Sequence, residues 1–267
     1  MADFEQRSDF EEQLGRRFGR AQREQYRRVI DALGDEPNIN NIPAEFWDDL
    51  SSEYEAAIRP TVEAALLAYV KQRIDETDIG VDWAQMNERA ASWARSYSFE
   101  LVKGIRDNTR SALQQKIEGF YRDKRTIGEL ADSISPLFGP VRADMIAVTE
   151  TTRAAAQGES LFEGELAALG LRTTQVWQTS NDDTVCPICE PLDGKERGDG
   201  WGPGEDVTEP PAHIRCRCWI NTEVVSAEKS VASPFEIEYQ KRERERKELQ
   251  RKNLERWGAD REPYEDN

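Results

Sequence analysis

The chain has 267 residues, 52 acidic against 36 basic, for a formal net charge of -16, with 37% hydrophobic and 33% charged residues. That acidity argues against a general nucleic-acid coat, whose binding rests on neutralising phosphates with Lys and Arg, and it fits solvation in strong salt or docking onto basic surfaces. A mean hydropathy of -0.79 is low for one large core, so the expectation is two lobes with tails, helical and extended, that draw part of their burial from partners.

The first residues, M-A-D-F-E-Q-R-S-D-F, have neither a basic start nor an apolar run, so no secretion signal is read there. Nowhere does an apolar run approach the roughly 18 residues of a membrane span, and a soluble chain with no membrane partner is expected. Ser8 and Glu11 have the spacing of a capping box. Behind them Phe10, Leu14, Phe18, Ala21, Val29 and Leu33 recur at helical spacing until Gly34. The opposite side carries Arg16, Arg20, Arg23 and Arg27 as one basic stripe. It reads as a solvated face, with contact to DNA or to an acidic partner surface as the sharper alternative. Residues 1–34 are therefore expected as an amphipathic arm, followed by a Pro/Asn-rich hinge at 35–43.

From Ala44 a second helical run carries Phe46, Trp47, Leu50, Tyr54, Ile58, Val62, Leu66, Tyr69 and Val70, with Pro60 expected to kink or break it. Asp82 is placed to cap a third helix, whose stripe Trp83, Met86, Ala90, Trp93, Tyr97, Leu101 and Ile105 reads as core. Helix is expected to continue through 108–121. Thr126 and Glu129 form another capping box, and Pro140 suits the first turn of a further helix. Within that helix Glu150 and Arg153 are three apart and are expected to pair, as a surface or interlobe ion pair. After Gly170 the period changes to two, as in a short strand at 174–179.

All four cysteines and the single histidine of the protein fall between Val185 and Ile220. Cys186 and Cys189 have the spacing at which two thiolates grip one tetrahedral ion, and His213, Cys216 and Cys218 offer a second half-site. Four of these five are the expected ligands: Cys186, Cys189 and His213 with Cys216 or Cys218, or all four cysteines. Soft thiolates with an imidazole point to zinc. Two disulfides, or four buried thiols with a satisfied histidine, are the alternatives; disulfides need an oxidising compartment. A nucleobase deaminase would place H-x-E ahead of P-C-x-x-C, whereas here the histidine comes last. A closed, structural zinc is therefore preferred. Asp193-Gly194 marks a hairpin turn, 197–211 a loop, and 218–225 a second strand, too little sheet to stand alone.

The order of strand, D-x-x-V-C-P-I-C, L-D-G-K, long loop, P-P-A-H-I-R-C-R-C and strand resembles the C-terminal lobe of phage minor head proteins, the Mu F-like or SPP1 gp7-like head-morphogenesis family. Thr149-Glu150-Thr151-Thr152-Arg153-Ala154, followed by Gly158, is similar to the family's T-E-x-x-R-A helix. Ile214-Arg215 departs from the Pro-Asn pair common at that place. The resemblance covers about 108–225. It implies a non-enzymatic minor capsid protein of a tailed virus, assembled in the host cytoplasm and packaged inside the head in several copies. It also implies association with the portal protein, a role in head assembly, packaging or delivery, and further contacts with major capsid or scaffold protein and packaged double-stranded DNA. Glu150 and Arg153 would then brace the zinc lobe. A zinc-dependent nuclease or transferase acting on the genome or host targets is the competing function, with Asp182, Asp183, Asp193 and Glu196 as acid/base candidates.

The fold class expected is mainly α with a small zinc-stabilised α+β lobe. Its parts are the extended helical arm at 1–34, a helical body at 44–170, the lobe at 171–228, and an extended, charged helical tail at 234–267 that alternates basic and acidic residues, with its end from Gly258 expected to be disordered.

Overall fold

The computed structural model describes residues 4–77, 79–180, 185–198, 201 and 207–227. By contact density the chain divides into two units, Met1–Glu163 with Thr174–Glu223, and Gly164–Thr173 with Val224–Asn267. The tail expected as a C-terminal arm lies outside the described residues.

The larger unit is built on helices α1 (Arg7–Leu33), α2 (Ala44–Thr77), α3 (Trp83–Arg122), α4 (Ile127–Ile134) and most of α5 (Pro140–Ala168). α2 buries the whole run from Phe46 to Val70 that its spacing predicts. The helix passes through Pro60 without breaking. α3 is capped as expected, with Asp82 Oδ1 accepting from the amides of Ala84 (2.9 Å) and Gln85 (3.2 Å). At α4, Thr126 and Glu129 exchange both bonds of the capping box.

Three expectations are corrected. α1 is not an extended arm: Leu14, Phe18, Val29 and Leu33 are buried, and the helix packs against α2, where Phe18 meets Tyr54 edge-on at 4.6 Å. Two glutamines, Gln22 and Gln25, lie in the same buried stripe, so the apolar pattern alone understates its width. Nor does Ser8 cap this helix, which starts at Arg7 with no side-chain cap. The hinge at 35–43 is fastened, with Ile42 buried, Asn38 capping a short 3-10 turn, and Tyr121 Oη donating to the Pro37 carbonyl at 2.9 Å.

On α3 the buried line runs through Met86, Ala90, Ala94, Ser98, Val102 and Ile105. Trp83 is exposed and Trp93 and Tyr97 only half-buried, stacked on each other at 4.9 Å. The large side chains of α2 fill the space between the helices, and small residues on α3 face them.

α5 sits against the other helices. Gly15 and Gly19 of α1 face Ala147 and Ala143, so close that an added Cβ would meet theirs at 3.7 and 3.5 Å. Gly158 is tighter still: a Cβ there would lie 2.9 Å from Tyr69 Cδ1 and 3.1 Å from the Leu66 carbonyl. Beside it Glu159 is fully buried and accepts from Arg73 Nε (2.9 Å), Tyr69 Oη (2.9 Å) and the Thr222 amide (2.8 Å). Burial of such a pair is tolerable because hydrogen bonds satisfy the carboxylate on every side.

Strands β1 (Leu171–Gln178) and β2 (Trp219–Ala227) form a two-stranded sheet. Gln175, Trp177 and Thr179 are buried while their neighbours are half-exposed, the alternation expected of a strand. In the smaller unit the described residues are the last turn of α5, a turn at Gly170 with φ +74°, and the adjoining ends of both strands. Among the described residues no helix is long and apolar enough to cross a membrane.

Candidate metal centre

Cys186 and Cys189 are presented by one tight turn, in which the amides of Cys189 and Glu190 both donate to the Cys186 carbonyl (3.0 and 2.9 Å). The chain then passes Asp193-Gly194, with Gly194 at φ +71°. It returns beside β1 as an antiparallel bridge, Val176 to Glu196. Asp193, a candidate acid, accepts instead from the Thr179 amide and hydroxyl (2.8 and 3.0 Å) and holds the turn. The Glu196 backbone forms the bridge while its side chain is exposed, and Asp182 and Asp183 lie outside the described residues.

The second half-site is another turn. The Cys216 amide donates to the His213 carbonyl at 3.1 Å, with Arg215 between them at φ +64°. Such a left-handed residue is easiest for Gly or Asn. The turn delivers His213 Nε2 to 2.9 Å from Cys186 Sγ and 3.2 Å from Cys189 Sγ. His213 Nδ1 faces the Ile214 carbonyl at 2.8 Å. A carbonyl can only accept, so Nδ1 carries the proton and the Nε2 lone pair points at the thiols, the tautomer a metal ligand requires.

All five expected ligands converge. Cys186, Cys189 and His213 form one group with ligand atoms within 4.8 Å of one another, and Cys189, Cys216 and Cys218 form a second. Cys189 belongs to both. Its Sγ lies 3.8 Å from that of Cys216, about the edge of a tetrahedron with bonds of about 2.3 Å to sulfur. The four cysteines are free thiols. Hydrogen bonds from the thiols of Cys189 and Cys218 pull the Cys216 thiol down to about 2, against the cost of burial. The same sharing pushes Cys189 up. The donor set fits a soft divalent ion.

Around the thiols is a small core of Trp177, Cys189, Leu192, Trp201, Cys216, Cys218 and Ile220. Trp177 and Trp201 meet edge-on at 5.4 Å.

The fastening to the helices comes from residues the sequence reading did not single out. Thr149 Oγ1 accepts from the Arg215 amide at 2.9 Å, and Thr152 Oγ1 donates to the Cys216 carbonyl at 2.7 Å. Their i, i+3 spacing inside T-E-T-T-R-A places both on one helix face but does not name their partners. Glu150 and Arg153 instead face α3. Glu150 accepts from Tyr97 Oη and lies 3.7 Å from Arg153 Nε, an ion pair too long for a hydrogen bond. Burial lifts the Glu150 carboxyl above the ordinary range, against the pull of Tyr97 and Arg153.

In the basic stripe, Arg16 pairs with Glu12 (2.9 Å) and Arg27 with Glu24 (3.2 Å), all on the exposed face. Arg20 and Arg23 line a groove between α1 and the start of α5, which Glu11, Glu12 and Asp144 also line. The stripe is thus mixed in charge.

Residues 104–221 match the sequence model of a family described as phage Mu protein F like protein. The matched stretch runs from the middle of α3 through α5 and all five Cys/His residues to the start of β2. This stretch is similar to the phage Mu F-like family and supports a phage head-morphogenesis family for the chain. No curated protein and no solved structure matches the chain.

Proposed function

We propose that the chain is a minor capsid protein of a tailed virus, packaged inside the head, associated with the portal and structural in role. The observation that carries this reading is the family match over the helices and the Cys/His lobe together. The family's role in head morphogenesis agrees with a non-enzymatic protein. Asp193 is engaged by the Thr179 amide and hydroxyl in a turn, which lends no support to its use as the acid of a nuclease or transferase.

Within this reading a structural zinc is held by Cys186, Cys189, His213 and Cys216. Cys216 is favoured as the fourth ligand because one turn presents it with His213 and because it lies at tetrahedral distance from Cys189. Cys218 packs with Trp177 in the small core. A bound zinc would supply a cross-link between segments 27 residues apart, closing the loop between them. Arg20 and Arg23, the stripe members without a carboxylate partner among the described residues, are the residues offered to packaged DNA.

The test is protein analysis of gradient-purified, DNA-filled particles treated with external protease. Several protected copies per particle are expected, recovered with the portal ring when heads are opened. Absence from such particles would contradict the proposal.

A further inference from the structure

The turn that presents His213 and Cys216 is linked to the beginning of α1 as well as to α5. Thr152 Oγ1, which donates to the Cys216 carbonyl, accepts from Arg7 Nη1 at 2.8 Å. A hydroxyl has one proton to give, so its direction is fixed: guanidinium to hydroxyl to carbonyl. All three residues are buried, Arg7 at 6% exposure and Thr152 and Cys216 at 1% each. Arg217 reaches Glu11 at 3.3 Å. On its other side the same segment docks on α2, where Phe4 meets Tyr69 at 5.5 Å and the Glu5 amide donates to Gln72 Oε1 at 3.0 Å.

We propose that Thr152 and Arg7 are positioning residues of the metal centre, and that metal occupancy and docking of residues 4–11 stabilise each other. The inference rests on the zinc reading above. The Cys216 carbonyl belongs to the peptide joining Cys216 to Arg217, so holding it aims the Cys216 thiolate and places Arg217 beside Glu11. In the absence of the ion the turn would keep Thr149, Thr152 and the ion pair of Arg215 with Asp144. That pair is half-exposed on both sides, a setting in which ion pairs contribute little. The coupling is reciprocal by linkage: a partner that draws the first turn of α1 away would loosen the metal by the same factor.

The experiment uses the full chain, zinc-loaded or chelated under reducing conditions. It combines hydrogen exchange with metal analysis and competition against a chromophoric chelator. Chelation is expected to speed amide exchange across 5–11 by at least about tenfold while the middle of α3 is unchanged. Thr152→Val should weaken zinc binding about 10- to 100-fold, and Thr152→Ser, which keeps the hydroxyl, should restore most of it. Zinc bound at one per chain with equal exchange across 5–11 in both states would overturn the coupling and leave the zinc reading standing. A chain that binds no zinc would overturn both, and the metal analysis reads that separately. If Thr152→Val does not fold, the exchange comparison on the unaltered chain decides alone.

Discussion

Between α1, α2 and α5 the chain buries Leu14, Phe18, Leu50, Tyr54, Ile58, Leu66 and Phe162 almost completely. The core under the Cys/His turns has seven buried residues, three of them cysteines. The first region has enough apolar surface to hold itself by packing, at roughly 1.5 to 3 kcal/mol for each large side chain buried. The second does not, and its fastenings are of other kinds: a convergent ligand set, two threonine hydroxyls, and a pair of tryptophans. A small lobe of this sort gains fixed geometry from polar and metal contacts where a bundle gains it from area.

Breaking the bundle at its polar centre should have the largest effect of the substitutions. Glu159→Ala takes the buried carboxylate away from Arg73, which keeps Glu76 and the Thr222 carbonyl, and should cost about 3 kcal/mol, read as a lowered urea midpoint with the slope retained. Gly158→Ala, next to it, forces Tyr69 or the α2 backbone to yield and should cost about 1 to 3 kcal/mol. A neutral result there would mean that the α2–α5 approach is looser than the contacts at Gly158 imply.

In the other direction, both amide atoms of Gln22 are buried without a hydrogen-bond partner among the described residues. Gln22→Met should therefore raise bundle stability by about 1 kcal/mol, measured by thermal unfolding.

The smallest effect concerns pH. The Glu150 carboxyl is raised in the folded chain, chiefly by burial, so the folded state holds its proton more tightly than the unfolded state. Stability from this group is then present at acid pH and lost as pH rises from the unfolded value through the raised folded one. Glu150→Gln, which can still accept from Tyr97, should flatten that slope in urea midpoints taken across the acid range. An unchanged slope would assign it elsewhere.

The difference between the two regions also explains what the amino-acid sequence made legible. The faces of α2, the caps at Asp82 and Thr126 and the convergence of the Cys/His ligands follow from spacing and residue type, both local. The docking of α1 was hidden because Gly19, Gln22 and Gln25 occupy part of its buried stripe, and glycine and glutamine give no apolar signal. On α3 the aromatic line Trp93 and Tyr97 outweighed Ala94 and Ser98 in the pattern, although the small residues are the ones buried. Thr149 and Thr152 carry hydroxyls whose partners, Arg215 and Cys216, lie more than sixty residues away, and no periodicity reports such a contact.

The central proposal is that a metal holds the Cys/His lobe while packing holds the bundle. Metal content of the purified chain, followed by chelation under reducing conditions with far-ultraviolet dichroism and tryptophan fluorescence, tests it most directly. The account predicts one zinc per chain, and loss of the buried Trp177–Trp201 environment on chelation with helical dichroism retained. A chain without metal, or fluorescence unmoved by chelation, would contradict it.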